Sequence, residues 1–429
     1  MRGMGAATHV RARGDGAPGP IAVAPRATAR GGGSGPVSLQ QLVLIEVAAG
    51  LVLLGWAAGP LVLVPAAVVA VVLGLLALVP LGQRPAAESL LASLTLRARI
   101  RRAAPADAGT DPAIAPVVEC EPALRTSTFT DRGQRAVGLV GDGTFVTAVL
   151  RVDAVDAPLR PMRTEEALPL ALLRDALDVD GIRLESVQAV QNTLPAPAPH
   201  LPSEALTARN YAPLQALSGA PAVRTTWIAL KLDPELCPEA VEARGGGEEG
   251  ARRCVLRAAD QLASRLQGAG FRAALLSEEE LTTALSTAAN VNPVASAQAA
   301  RAATPARRTL ESSRALRCDD RWHTTYWLAR WPQLGPGAVP LPQLAALLTS
   351  LPALSTTLSL TLGRGGLRNG RHAPTMTAHV RVTGRSSDEL AATRRELERA
   401  ARTARTGLVR LDHEQVPGML ATLPLGGTR

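Results

Sequence analysis

Between Leu42 and Leu81 the chain runs for forty positions with one ionisable residue, Glu46. A helix rises about 1.5 Å per residue and needs roughly 20 apolar residues to cross a hydrocarbon core. The run therefore reads as two spans with a break between them, and Gly59-Pro60 supplies the break. The sequence predicts a transmembrane hairpin over 41–81, with helices at 41–58 and 61–80. Pro65 falls near the start of the second helix, where a missing N–H does least harm. Neither segment carries the polar stripe of a soluble amphipathic helix. Arg2, Arg11, Arg13, Arg26 and Arg30 precede the run, against Asp15, and Arg84, Arg97, Arg99, Arg101 and Arg102 follow it, against Glu88. Two basic flanks place both termini on the cytoplasmic side of a multi-pass protein of the cell (plasma) membrane, with the lipid bilayer as its first partner. A secretory signal peptide would start earlier and have a much shorter apolar core.

Composition removes several kinds of chemistry. Lys231 is the only lysine among 46 basic residues, and no glycine-rich turn precedes it. A Walker-type phosphate loop needs that turn and that lysine together. The formal net charge is +9, but the arginines interleave with acids, as in Arg394-Arg395-Glu396-Leu397-Glu398-Arg399. That is the pattern of a solvated, salt-bridged face, and with aromatics at 2% the stacking platforms for single strands are scarce. No nucleic acid partner is expected. Cys120, Cys237, Cys254 and Cys318 stand apart, without paired spacing, and read as packing thiols in a reducing compartment. The six histidines form no metal-binding run, and no G-x-S-x-G elbow occurs. Gly245-Gly246-Gly247 opens a helix, but Glu248 and Glu249 put negative charge where a phosphate would sit. No cofactor and no metal are expected. Asp319-Asp320 is the one carboxylate pair that could hold a cation, against the plainer reading of a solvated turn.

Residues 1–40 are basic, rich in Gly, Ala, Pro and Arg, and expected to be disordered. Residues 82–116 form a juxtamembrane segment and linker. A first cytoplasmic lobe is expected over 117–290, a linker over 291–317 and a second lobe over 318–429. In the first lobe, strands at 144–152, 182–193, 223–232 and 271–276 enclose helices at 169–177 and 252–267. In the second, strands at 324–331, 355–362, 375–383 and from 408 enclose helices at 340–351 and 386–405. Each order is βαββαβ, a split-βαβ or ferredoxin-like unit. The fold class is thus α+β, with two such lobes after a transmembrane hairpin. Ser277 and Glu280 form a capping box for one further helix, through Leu285.

The stretch from Trp322 to Pro332 holds three of the five tryptophans. Trp327 and Trp331 are large enough to anchor a core or an interface. The Trp322 to Pro332 strand, Asp131-Arg132-Gly133 through Gly141-Asp142-Gly143-Thr144-Phe145, Leu194-Pro195-Ala196-Pro197-Ala198-Pro199 and the stretch from Gly245 to Leu281 follow in order after an N-terminal apolar hairpin. In that architecture the chain resembles the EccE component of the actinobacterial type VII (ESX-type) secretion system. The resemblance implies a non-enzymatic scaffold in a membrane complex with the EccB, EccC and EccD components, and no catalytic residues. A membrane-anchored enzyme acting on lipid or nucleotide-sugar substrates through Asp319 and Asp320 is the alternative. The candidate interface residues are Glu46, Gly50 and Gly55 in the first helix, where a carboxylate and small residues suit close helix contact, and Trp327 and Trp331.

Overall fold

The computed structural model describes residues 39–427 apart from 79, 82–83, 132, 155–166, most of 196–222, 303, 334–339 and 369–370. The N-terminal segment expected to be disordered lies almost wholly outside the described residues.

Helices α1 (Leu39–Ala58) and α2 (Pro60–Leu78) fold back on each other at Gly59, whose φ of +104° suits glycine. A Cβ on Gly55 would lie 2.8 Å from Ala66 Cβ and 3.1 Å from Leu63 Cα, so glycine is what lets the two helices touch there. Among the described residues no helix is long and apolar enough to cross a membrane. The expected transmembrane hairpin is therefore corrected to a pair of packed apolar helices, and the two-span topology drawn from it goes with it.

Helix α3 (Ala86–Arg102) follows, then α4 (Ala115–Cys120). Apart from two two-residue ladders, Pro80–Leu81 with Arg84–Pro85 and Asp178–Val179 with Ile182–Arg183, the described strands form one twelve-stranded sheet. The first half contains β1 (Arg125–Thr130), β2 (Ala136–Gly141), β3 (Val146–Ala154), α5 (Leu170–Asp175), β4 (Ser186–Leu194), β5 (Val223–Leu232), α6 (Gly247–Gly268) and β6 (Phe271–Leu275). Helix α7 (Glu278–Ala289) and α8 (Pro293–Ala299) lead to the short strands β7 (Thr309–Glu311) and β8 (Leu316–Cys318). The second half contains β9 (Arg321–Arg330), α9 (Leu341–Thr349), β10 (Ser355–Arg368), β11 (Arg371–Gly384), α10 (Ser387–Thr403), β12 (Gly407–Arg410) and α11 (Gln415–Ala421).

The strand order is β7-β8-β9-β11-β10-β4-β5-β3-β2-β1, with β6 beside β3 and β12 beside β9. From β3 to β6, and again from β9 to β12, strands and helices alternate as βαββαβ, and every pairing is antiparallel. The two halves join edge to edge through β10 and β4, where Leu360 pairs with Ala189 and Leu362 with Val187. They are halves of one sheet. Residues 291–317, read as a linker, hold α8, β7 and β8.

Partners across a strand pair share a face, so the register fixes the layers. Val187, Ala189, Leu360 and Leu362 lie on the face covered by α5, α6, α9 and α10. Two apolar clusters form there, one per half, and Leu362 and Met376 of the second half pack into the first. The opposite face carries Val149, Val190 and Ala229 under α4, α7 and α11.

Candidate functional site

Where the two halves meet, the face under α7 and α11 turns polar. Ser355, Thr357 and Ser359 alternate with Leu358 and Leu360 along β10, and Gln188 and Asn192 stand across from them on β4. All five polar side chains are buried. Buried polar groups need partners; Ser355 and Thr357 donate to Asn192 Oδ1, and the C-terminal segment supplies two of the partners of Gln188. Gln188 Nε2 donates to Ala421 O at 2.9 Å and to Ser359 Oγ at 2.7 Å, and its Oε1 accepts from Gly426 N at 2.8 Å. Ser186 Oγ donates to Gly426 O, and Thr147 Oγ1 donates to Leu425 O at 3.1 Å. The Thr325 N–H donates to Gln415 Oε1 at 2.9 Å. Gly426 has a φ of +92° and lies so close to the Lys231 side chain that a Cβ would collide with it. The end of the chain is thereby tied to strands of both halves.

Arg381 sits under this segment, fully buried. Its guanidinium donates to Ala288 O, to Thr357 Oγ1 at 3.2 Å and to Met419 Sδ at 3.2 Å. Ala288 lies in the last turn of α7, where the unpaired carbonyls carry partial negative charge, so the helix end offsets the cation. Burial still draws the Arg381 pKa down, to about 10. Asn290, left-handed at φ +54°, closes the helix and donates through Nδ2 to Ser355 Oγ at 3.0 Å. His323 is fully buried nearby, with Nδ1 3.0 Å from Thr383 Oγ1. Burial, then the charges of Arg381 and Arg321, hold its pKa well below the ordinary histidine value.

The carboxylate pair is not arranged around a cation. Asp319 accepts from Arg308 Nε and Nη2, both at 2.8 Å, in a pair whose side chains are 7% and 8% exposed. Asp320 accepts from Asn292 Nδ2 at 2.9 Å. Burial pushes the Cys318 thiol up to about 12 and the Cys120 thiol upward as well, which keeps both protonated.

The five candidate interface residues do not converge. Glu46 is exposed on α1, and a Cβ on Gly50 would meet nothing within 4 Å. Gly55 is buried against α2. Trp327 is half-buried and pairs with His379 across β9 and β11. Trp331 packs where the two helix-covered clusters meet, touching both. Arg381, Gln188 and the C-terminal segment escaped the sequence reading. The alternation of Ser355, Thr357 and Ser359 with leucines was visible, but it looks the same whether the polar face meets water or a covering segment.

Residues 220–328 match the family model EccE, described as "Putative type VII ESX secretion system translocon, EccE". The matched segment is about a quarter of the chain and runs from β5 through α6, β6, α7, α8, β7 and β8 into β9. The resemblance read from the sequence is thus supported by the family comparison, and the family is a component of the type VII secretion system. No curated protein matches the chain.

Proposed function

We propose that this chain is a non-enzymatic scaffold subunit of a type VII protein secretion complex, associated with the membrane through its partners EccB, EccC and EccD. The observation that carries the reading is the EccE match over 220–328. That segment runs from β5 of the first half through the connecting elements α7, α8, β7 and β8 into β9 of the second, so the family likeness covers the stretch of chain that links the two halves. The engagement of Asp319 by Arg308 and of Asp320 by Asn292 supports scaffold over catalyst. In this reading Glu46, Gly50 and Trp327 contact other subunits, Gly55 holds α1 against α2, and Trp331 supports the fold.

Co-purification from native membranes tests the proposal. A tagged chain should retain the other membrane components, and an Asp320→Asn variant should still support export of the system's substrates. Turnover of a lipid or nucleotide-sugar substrate by the purified protein, lost in that variant, would overturn it.

A further inference from the structure

Strand β12 pairs only with β9 among the described residues, so its other side is an open sheet edge. The Leu411 N–H donates to Thr325 O at 3.0 Å, and in an antiparallel ladder such bonds alternate. The Leu408 peptide groups and the Arg410 N–H consequently face outward, while Arg410 O accepts from Asp412 N at 2.9 Å. Thr406 to Arg410 line a cleft of about 970 Å³ whose other walls are α3, through Ser89, Leu90 and Ser93, and the end of α10. An open edge inside a walled cleft is the arrangement in which an extended peptide adds a strand.

The charges of the cleft indicate the peptide's character. Arg410 is paired with Asp412, its Nη2 at 2.8 Å from Oδ2, and Glu398 accepts from Tyr326 Oη at 2.9 Å. Arg314 and Arg402 also line the cleft, both exposed, and neither has an ion-pair partner among the described residues. Three arginines thus face the two carboxylates Asp412 and Glu398, which leaves a net positive charge with Arg314 and Arg402 without ion pairs, while Leu90 and Leu408 give the walls an apolar component. We propose that this cleft receives an extended acidic peptide segment of a partner protein, which adds a strand to β12 and sets its carboxylates against Arg314 and Arg402. The inference does not depend on the family reading.

The test uses the full chain and a short fluorescent peptide of alternating glutamate and valine, with a lysine–valine peptide as its counterpart. The acidic peptide should bind, and hydrogen exchange should show new protection at the Leu408 and Arg410 amides. An Arg314→Glu, Arg402→Glu double variant should melt like the parent, bind the acidic peptide at least about tenfold more weakly and favour the basic one. Equal binding of the acidic peptide by both proteins would overturn the proposal, as would binding without protection of β12. So would failure of the peptide to bind while phosphatidylglycerol vesicles bind through the same arginines, which would mark the cleft as a headgroup site.

Discussion

Arg99 and Glu311, 212 residues apart, meet in a two-pronged ion pair: Nε donates to Oε2 at 2.9 Å and Nη2 to Oε1 at 3.0 Å. Arg99 also donates to His413 O at 2.6 Å, and Glu311 also accepts from Val416 N at 2.9 Å. One pair thus ties α3 to β7 and to the start of α11. Ala92, Leu96 and Arg99 recur at helical spacing, and the first two are buried, so α3 is docked along that face. Arg99→Ala leaves a carboxylate that is only 2% exposed without its cation. Water can reach the partly open Arg99 side, so we expect a loss of about 2 kcal/mol, read by urea unfolding, with faster proteolysis within α3. Unchanged unfolding would mean that the pair adds nothing to docking.

The Arg308–Asp319 pair is buried on both sides. Asp319→Ala should cost about 3–5 kcal/mol, because it strands a desolvated guanidinium. Denaturant melts of the two variants should show Asp320→Ala, at a largely exposed carboxylate, costing much less.

Trp331 bridges two apolar clusters, so Trp331→Ala should lower stability by roughly 2–4 kcal/mol. In the purified chain this appears as a lower melting temperature. If the melting temperature holds and partner subunits dissociate, the side chain is an interface anchor.

Gly55 and Gly50 should part company. Gly55→Leu forces α1 away from α2, whereas Gly50→Leu enters open space. Spin labels on the two helices should report a widened separation for the first variant only. Gly50→Leu should act, if at all, on co-purification of partners.

His323 gives the pH prediction. Its folded pKa is depressed, so the native state resists a proton that the unfolded chain accepts near pH 6.5. The associated stability is complete above that pH and is lost as pH falls below it, at up to about 1.4 kcal/mol per unit. His323→Gln should flatten this dependence in denaturant titrations between neutral and mildly acidic pH. An equally steep fall in the variant would assign the effect to other groups.

The βαββαβ order of each half was legible because the apolar alternation of the strands and the leucine spacing of the helices are local. The pairing of β4 with β10 was not, since nothing in either strand's pattern names its neighbour. Strands β7 and β8 escaped because three residues are too few to show a period. The apolar run at 42–81 marked two helices, but apolar composition alone does not fix whether such helices cross a bilayer or pack as a pair. Asp319 looked like a turn carboxylate because its partner, Arg308, lies across a hairpin. The C-terminal segment was missed because its bonds are mainly through backbone groups, which every sequence has.

That last segment bears on synthesis. Thr147 and Leu425 lie 278 positions apart, and Gln188 and Gly426 lie 238 apart. While the ribosome is still making the second half, the first can form its helix-covered layer except for Leu362 and Met376, but the polar strip on its other side has no backbone to bond. Contacts this distant in sequence make folding slow, and incomplete layers invite association. A chain truncated before Gln415 should therefore stay on chaperones, whereas one lacking only its N-terminal forty residues should be released.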